Sequence, residues 1–320
     1  MLSLMNLPIE IRERIWEMVI NGKNNPDVSA IKSYMEDEGD GGYSCIWSHD
    51  LNPIAEYDRD ILCPNCLPLL LTSRQISGET KGVLNRMRTT DFTLEISVLN
   101  DKDLVWTWTS VPQLTTRIST LIVNIRLYGH MFRYRDLPHP VGAGMHDSLY
   151  NLLRGFLRNK PWAPKEGKPS SKGPQISIQN LVLDFHSAET ELPHPPANIG
   201  YDEWNTHIDS PGLNDPFEFI DPLVHKSRPE WLLRWLNMWI HGITVYHIWD
   251  YGYLLYEHIG SLSMMIDGQL SSTIDLADRL AEVEIADEWH TADIGSKQHR
   301  LIRWKRTALA KRMAFGLSVV

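Results

Sequence analysis

Cys45, His49, Cys63 and Cys66 are the residues whose types and spacing most directly suggest chemistry. Cys63-Pro-Asn-Cys66 has the tight spacing of a zinc knuckle, and Cys45-x3-His49 could complete a Cys3His tetrahedron. Such a site would bind metal through deprotonated thiolates and anchor a stretch otherwise too polar to fold. Against it, the chain has no second Cys-x-x-Cys, and a single pair also reads as a redox motif or as buried apolar thiols. No clear strand-helix unit of the thioredoxin kind follows it. The expectation is no metal and no cofactor, with these four residues as the ligands if a zinc were held.

The 13 histidines invite an enzymatic reading. Asp184-Phe185-His186 falls at a strand end, with His225, His241, His247 and His258 further on. Catalysis needs a nucleophile, a base and an orienting group brought together. The sequence contains no Gly-x-Ser-x-Gly elbow, His-Glu-x-x-His, phosphate loop or Gly-x-Gly-x-x-Gly fingerprint. A protein without enzymatic activity is expected. A hydrolase of unrecognised class would be favoured by a polar pocket in which Asp184 or His186 meets a second titratable group.

The elements that would position these residues follow from apolar periodicity. A first helix is expected over 8–20, where Pro8 suits an early helical position and Ile11, Ile15, Met18 and Val19 recur at spacings of three and four. The pattern is then lost through the acidic, glycine-rich run 36–42, and a second helix is expected over 67–88. Beyond it the grammar becomes short strands separated by helices, with strands over 90–99, 118–127, 176–185 and 261–267. Helices are expected over 146–159, 228–241, 274–286 and 296–315, the first carrying Leu149, Leu152, Leu153, Phe156 and Leu157 on one stripe. Three strands share a loose echo, Ile-Ser-Thr-Leu at 118, Ile-Gln-Asn-Leu at 178 and Ile-Gly-Ser-Leu at 259. Their separations are unequal and far exceed the ~20–29-residue period of a regular leucine-rich repeat. The fold class read from this pattern is α/β or α+β: a short helical region, 1–88, packed on an irregular strand-helix body, 89–320. That body is either a degenerate leucine-rich-repeat-like array or an α/β domain whose strands share a generic apolar pattern.

The stretch Leu4-Met5-Asn6-Leu7-Pro8-Ile9-Glu10-Ile11-Arg12-Glu13-Arg14-Ile15-Trp16-Glu17-Met18-Val19 resembles the opening of an F-box, in the form seen in fungal F-box-like proteins. Leu69-Leu70-Leu71-Thr72-Ser73-Arg74-Gln75-Ile76-Ser77-Gly78-Glu79 is similar to the second helix of those families, which follows after an insertion of variable length. The resemblance covers these two segments, and the strand-rich region fits the same families only loosely. It implies that Leu7, Pro8, Ile11, Ile15 and Trp16 dock on the adaptor subunit of a cullin-type ubiquitin ligase while the rest of the chain captures a protein substrate. The physical logic is a helix laid in a groove, with a few large side chains carrying most of the affinity. Two features depart from the family: the long insertion between the two helices, and a second helix weakened by Ser73, Gly78 and Gly82. The other reading is that the first helix is simply buried against the second, giving an interaction or scaffold protein that keeps the fold without binding the adaptor. Burial of Leu7, Ile11 and Trp16 together would favour it.

Further along, Trp231, Trp235 and Trp239 stand four apart with Leu232, Leu236 and Ile240 beside them, which gives a wide apolar face suited to core burial. An exposed edge, with Tyr246, Trp249, Tyr251, Tyr253 and Tyr256, would instead anchor protein partners. The closing segment gathers Lys297, Arg300, Arg303, Lys305, Arg306, Lys311 and Arg312 behind Glu282, Glu284, Asp287, Glu288 and Asp293, and such neighbours usually pair or solvate one another.

Length and composition bound these readings. The chain has 320 residues, enough for a substantial core, and 42% are apolar and 22% charged with a mean hydropathy of -0.27, the profile of a soluble globular protein. A balance of 31 Lys and Arg against 40 Asp and Glu, net charge -9, repels phosphate backbones and argues against a nucleic-acid partner. Charges interrupt every long apolar stretch, so neither a membrane span nor a signal-peptide core is expected. Three cysteines without a secretory signal fit a reducing compartment, and an intracellular protein of cytoplasm or nucleus is expected.

Overall fold

The computed structural model describes residues 4–23, 64–87, 90–99, 103–128, 153, 156–157, 175–186, 233, 253–283 and 294–319. Period-two apolar patterns become six strands: β1 (Asp91–Leu99), β2 (Asp103–Ser110), β3 (Arg117–Tyr128), β4 (Ser177–His186), β5 (Ile259–Ile266) and β6 (Gln269–Asp275). They form one mixed sheet in the order β2-β1-β3-β4-β5-β6. Strands β1, β3, β4 and β5 run parallel, while β2 and β6 join the two sides antiparallel. With its helices this is a mixed α/β architecture, consistent with α+β.

The echo in the sequence marks the register of this sheet. Ile118 pairs with Ile178 and Ile178 with Ile259, while Leu121 pairs with Leu181 and Leu181 with Leu262. All six side chains are at most 3% exposed. Residues three apart on a strand point to opposite faces, so each Ile-x-x-Leu places one apolar side chain on either side of the sheet, as a parallel sheet covered on both faces requires. The Leu face continues through Val123, Ile125, Leu183, Phe185, Phe92, Leu94 and Ile96 into the main core. Leu153, Phe156 and Leu157 are helical and buried there, and Trp108 of β2 lies 5.0 Å from the Phe156 ring centroid. The rest of the helix expected over 146–159 lies outside the described residues. So does the helix over 228–241, apart from the buried, helical Leu233.

Gly260 is the residue that lets β5 approach β4. A Cβ at this position would stand 2.4 Å from the backbone oxygen of Gln179, so no larger residue fits without moving a strand. One strand further out, Asp267 and Gly268 both take positive φ, 48° and 77°, and connect β5 to β6 in two residues. That is the backbone requirement of a tight hairpin turn.

This turn corrects one expectation. The helix expected to start at 274 starts two residues later, as α5 (Leu276–Glu282), because Ile274 belongs to β6. Asp275 makes the switch from strand to helix, its side chain accepting from the backbone N–H groups of Ala277 and Asp278. Strands β2 and β6 and the short helix α4 (Tyr253–His258) were not anticipated. The closing helix α6 (Ile294–Phe315) matches the expected 296–315 closely.

The N-terminal elements are a 3-10 turn (Leu4–Asn6), α1 (Ile9–Ile20), α2 (Cys66–Thr72) and α3 (Arg74–Arg86). The single helix expected over 67–88 is thus two. Ser73 breaks it with extended backbone, φ -145° and ψ 160°, and caps α3 by accepting from the N–H of Ile76 at 3.2 Å. Trp16, Ile20, Cys66, Leu69 and Val83 form a small core between the three helices. Asn65 ties this group to its surroundings. Its side-chain amide donates to the carbonyls of Ile20 and Gly22 at the end of α1, and its backbone N–H donates to Val111 after β2.

Candidate functional site

The N-terminal helices hold a buried ion pair. Arg12 on α1 donates from Nη2 to Glu79 Oε1 at 2.6 Å and from Nε to Oε2 at 3.1 Å. Trp16, one helical turn along on the same face, donates its indole N–H to Oε2 at 3.1 Å, and Gln75 donates to Oε1 at 3.2 Å. Both charged side chains are nearly out of solvent, at 9% and 8% exposure. Four donors converge on one carboxylate, so the desolvation of Glu79 is answered by hydrogen bonds. Those from Arg12 and Trp16 hold the Glu79 carboxyl down at about 2, and the same contact raises Arg12 above its ordinary value.

Arg12 also reaches backwards. Its Nη1 donates to the carbonyl of Met5 at 3.2 Å and to the carbonyl of Leu7. One guanidinium therefore joins the 3-10 turn, α1 and α3.

The residues expected to dock a partner divide between two faces of α1. Arg12, Trp16 and Ile20, at spacings of four, face inward and are 7%, 4% and 0% exposed. Leu7, Ile11 and Met18 face outward at 36%, 48% and 70%, with Val19 at 44% and Pro8 exposed beside them. Ile15 lies between the two faces, half-buried against the three-helix core. Of the five residues Leu7, Pro8, Ile11, Ile15 and Trp16, the structure therefore brings the first three to an accessible side, leaves Ile15 at the edge of the small core and places Trp16 inside. Met18, Val19 and, on α2, Leu71 at 75% exposure add apolar surface that the family pattern did not mark. Met18 and Val19 were already visible as members of the apolar stripe. What the sequence hid was that one short helix carries two apolar faces, because the inward one is half polar.

Of the zinc candidates, Cys45, His49 and Cys63 lie outside the described residues. Cys66 begins α2 and is 4% exposed in the three-helix core. Among the described residues, no group of three or more His, Cys, Asp or Glu could hold a metal ion.

Asp184 and His186 share one face of β4, as expected, and do meet a further titratable group. His186 Nε2 is 3.5 Å from Asp184 Oδ2, and its Nδ1 is 4.0 Å from Asp267 Oδ1. In the same register across β1, β3 and β4 stand Glu95, Asn124 and Asp184, with Glu95 held by Arg126 and Asn124. Asp184 Oδ1 accepts the backbone N–H of Gly268 at 3.1 Å. Its geometry thus secures the β5–β6 turn, and the group binds strands together.

The aromatic and basic segments of the C-terminal part also resolve into structure where they are described. Tyr256 is fully buried, edge-on to Trp304 with centroids 5.6 Å apart, so it belongs to the core. Trp231, Trp235, Trp239, Tyr246, Trp249 and Tyr251 are outside the described residues. On α6, Lys311 pairs with Glu257, Lys305 donates to the carbonyl of Ala281, and Arg312 is fully buried. Among the described residues no helix is long and apolar enough to cross a membrane.

No family model, curated protein or solved structure matches this chain.

Proposed function

We propose that this protein is a recruitment subunit, in which the outer face of α1 docks the adaptor of a cullin-type ubiquitin ligase and the sheet-containing body binds a protein to be ubiquitinated. The observation that carries the reading is the spare apolar face of α1. With Trp16 and Ile20 already satisfying the internal core, Ile11, Met18 and Val19 remain exposed on a helix fixed from behind, with Leu7 and Pro8 exposed at its entry. A preorganised apolar helix face is what helix-in-groove recognition uses, because little ordering cost falls due on binding. The F-box-like sequence pattern supports the choice of partner. In the body, aligned rungs such as Ile118, Ile178 and Ile259 support the finer reading of a degenerate leucine-rich-repeat-like array, an architecture suited to presenting a protein-binding surface.

The burial of Trp16 favours a second reading, an interaction or scaffold protein in which α1 serves the fold and the adaptor is not bound. A pull-down with purified adaptor separates the two. The full chain is compared with Leu7→Ala/Ile11→Glu, after circular dichroism has shown that both fold. Retention of the native chain and loss of the variant sustain recruitment, whereas no retention of the folded native chain leaves the scaffold. A hydrolase, the third reading, rests on the Asp184, His186 and Asp267 grouping; the hydrogen bond from Gly268 to Asp184 speaks for a structural role instead.

A further inference from the structure

Pro8 is joined to α1 through its carbonyl, which accepts the N–H groups of Ile11 and Arg12 at 3.1 Å, while the turn before it makes fewer backbone bonds. Pro8 occupies the N-cap of α1, makes no side-chain capping bond and has no N–H to donate. The backbone bond from Leu7 N–H to the carbonyl of Leu4 spans only the 3-10 turn itself. Leu4, Leu7 and Ile9 are all more than a third exposed, while Met5 between them is half-buried.

We infer that Arg12 is a positioning residue whose guanidinium, anchored by Glu79, fixes the Leu4–Pro8 turn and so presents Leu7 and Pro8 in the geometry a partner reads. This rests on the docking role proposed for the outer face of α1. Two of its guanidinium nitrogens, Nε and Nη2, are spent on Glu79, and Nη1 alone reaches the carbonyls of Met5 and Leu7. Glu79 sits on α3, whose Val83 is part of the three-helix core, so the turn is referred to a packed element of the unit. A lysine cannot substitute. Its ammonium is a single point of donors and cannot span a carboxylate on one side and two carbonyls on the other. Trp16 adds a further bond to Oε2 of Glu79, a carboxylate that the two bonds from Arg12 already hold.

Positioning differs from mere stabilisation in its coupling. If Arg12 acts through the turn, then removing Leu7 matters only while Arg12 is present. The test is a double-mutant cycle on the full chain, with affinity for purified adaptor as the readout and Arg12→Met, Arg12→Lys and Leu7→Ala as the variants. Leu7→Ala in the native background is expected to weaken binding about tenfold, and in either Arg12 background by less than about twofold. A tenfold loss in all backgrounds overturns the inference, since Leu7 would then be presented without Arg12. A second readout needs no partner: amide hydrogen exchange at Leu7 should quicken at least about tenfold in Arg12→Lys while the amides of Ile20 and Val83 keep their protection. Unchanged exchange at Leu7 overturns the anchoring itself. If the native chain binds no adaptor, the docking reading fails, and the exchange result alone decides whether Arg12 holds the turn.

Discussion

Glu79 on α3 receives the guanidinium of Arg12 on α1 at 2.6 and 3.1 Å, an ion pair closed across 67 positions of chain. Because both groups are nearly buried, removing one partner strands the other. Arg12→Met or Glu79→Gln should each lower the urea midpoint of unfolding. The double variant should cost less than the two singles together, since it leaves no unpaired charge. Urea unfolding followed by circular dichroism measures all three.

The same pair sets an acid limit. Hydrogen bonds from Arg12 and Trp16 hold Glu79 at about 2 in the folded protein, against 4.5 for the free side chain. A carboxylate with a depressed value stabilises the fold fully above its unfolded pKa, and that contribution is lost as pH falls towards the folded one. Native stability should therefore drop between about pH 4.5 and pH 2 more steeply than that of Glu79→Gln. Thermal unfolding across this range, with parallel curves for the two proteins, would count against the assigned role.

Where β5 lies against β4, Gly260→Ala should be costly out of proportion to one methyl group. The added Cβ meets the backbone oxygen of Gln179 at 2.4 Å, and neither β4 nor β5 can yield without shifting the rungs on either side. A loss of about 1–3 kcal/mol is expected. By contrast, Gly82→Ala on α3 meets only the flexible end of Arg86, at 3.5 Å, and should be neutral or slightly stabilising. Denaturant midpoints of the two variants give the comparison directly.

How much of this was legible in the sequence depended on the local signal. Ile118, Leu121, Ile178, Leu181, Ile259 and Leu262 repeat an apolar spacing, and that spacing returned as aligned rungs across three parallel strands. Strand β6 was missed although Asp267-Gly268 is a hairpin signal, because its residues are largely exposed and polar and only Leu270 and Ile274 mark its apolar side. The outer face of α1 was visible as Leu7, Ile11, Met18 and Val19. The inward face was not: Arg12 breaks its apolar pattern, and only the distant Glu79 explains why a charge sits there. Trp16 was accordingly grouped with the docking residues, when its indole N–H had a partner inside the fold.

Arg312 is a second buried guanidinium, and it is solved differently. Among the described residues no carboxylate pairs with it; it donates to the carbonyls of Ser318, Tyr256 and Ile259 at 2.7, 2.7 and 2.8 Å, and burial pushes it below its ordinary value. It thereby links α6 to the junction of α4 and β5 and to the chain after Gly316. Arg312→Met would take this donor from the buried carbonyls of Tyr256 and Ile259, each such loss costing about 1–3 kcal/mol where water cannot reach. Hydrogen exchange should show lost protection at α4 and at the start of β5, with α1 and α3 unaffected.

The central claim is that the outer face of α1 is a docking surface and its inner face is not. Titration calorimetry of the full chain with purified ligase adaptor tests it most directly, using Ile11→Glu and Trp16→Phe beside the native protein. The account predicts binding by the native chain, loss of at least about tenfold in Ile11→Glu with the unfolding free energy within about 0.5 kcal/mol of native. It also predicts near-native affinity but reduced stability for Trp16→Phe. A folded native chain that gives no heat of binding, or an Ile11→Glu variant that binds as well as native, would contradict it.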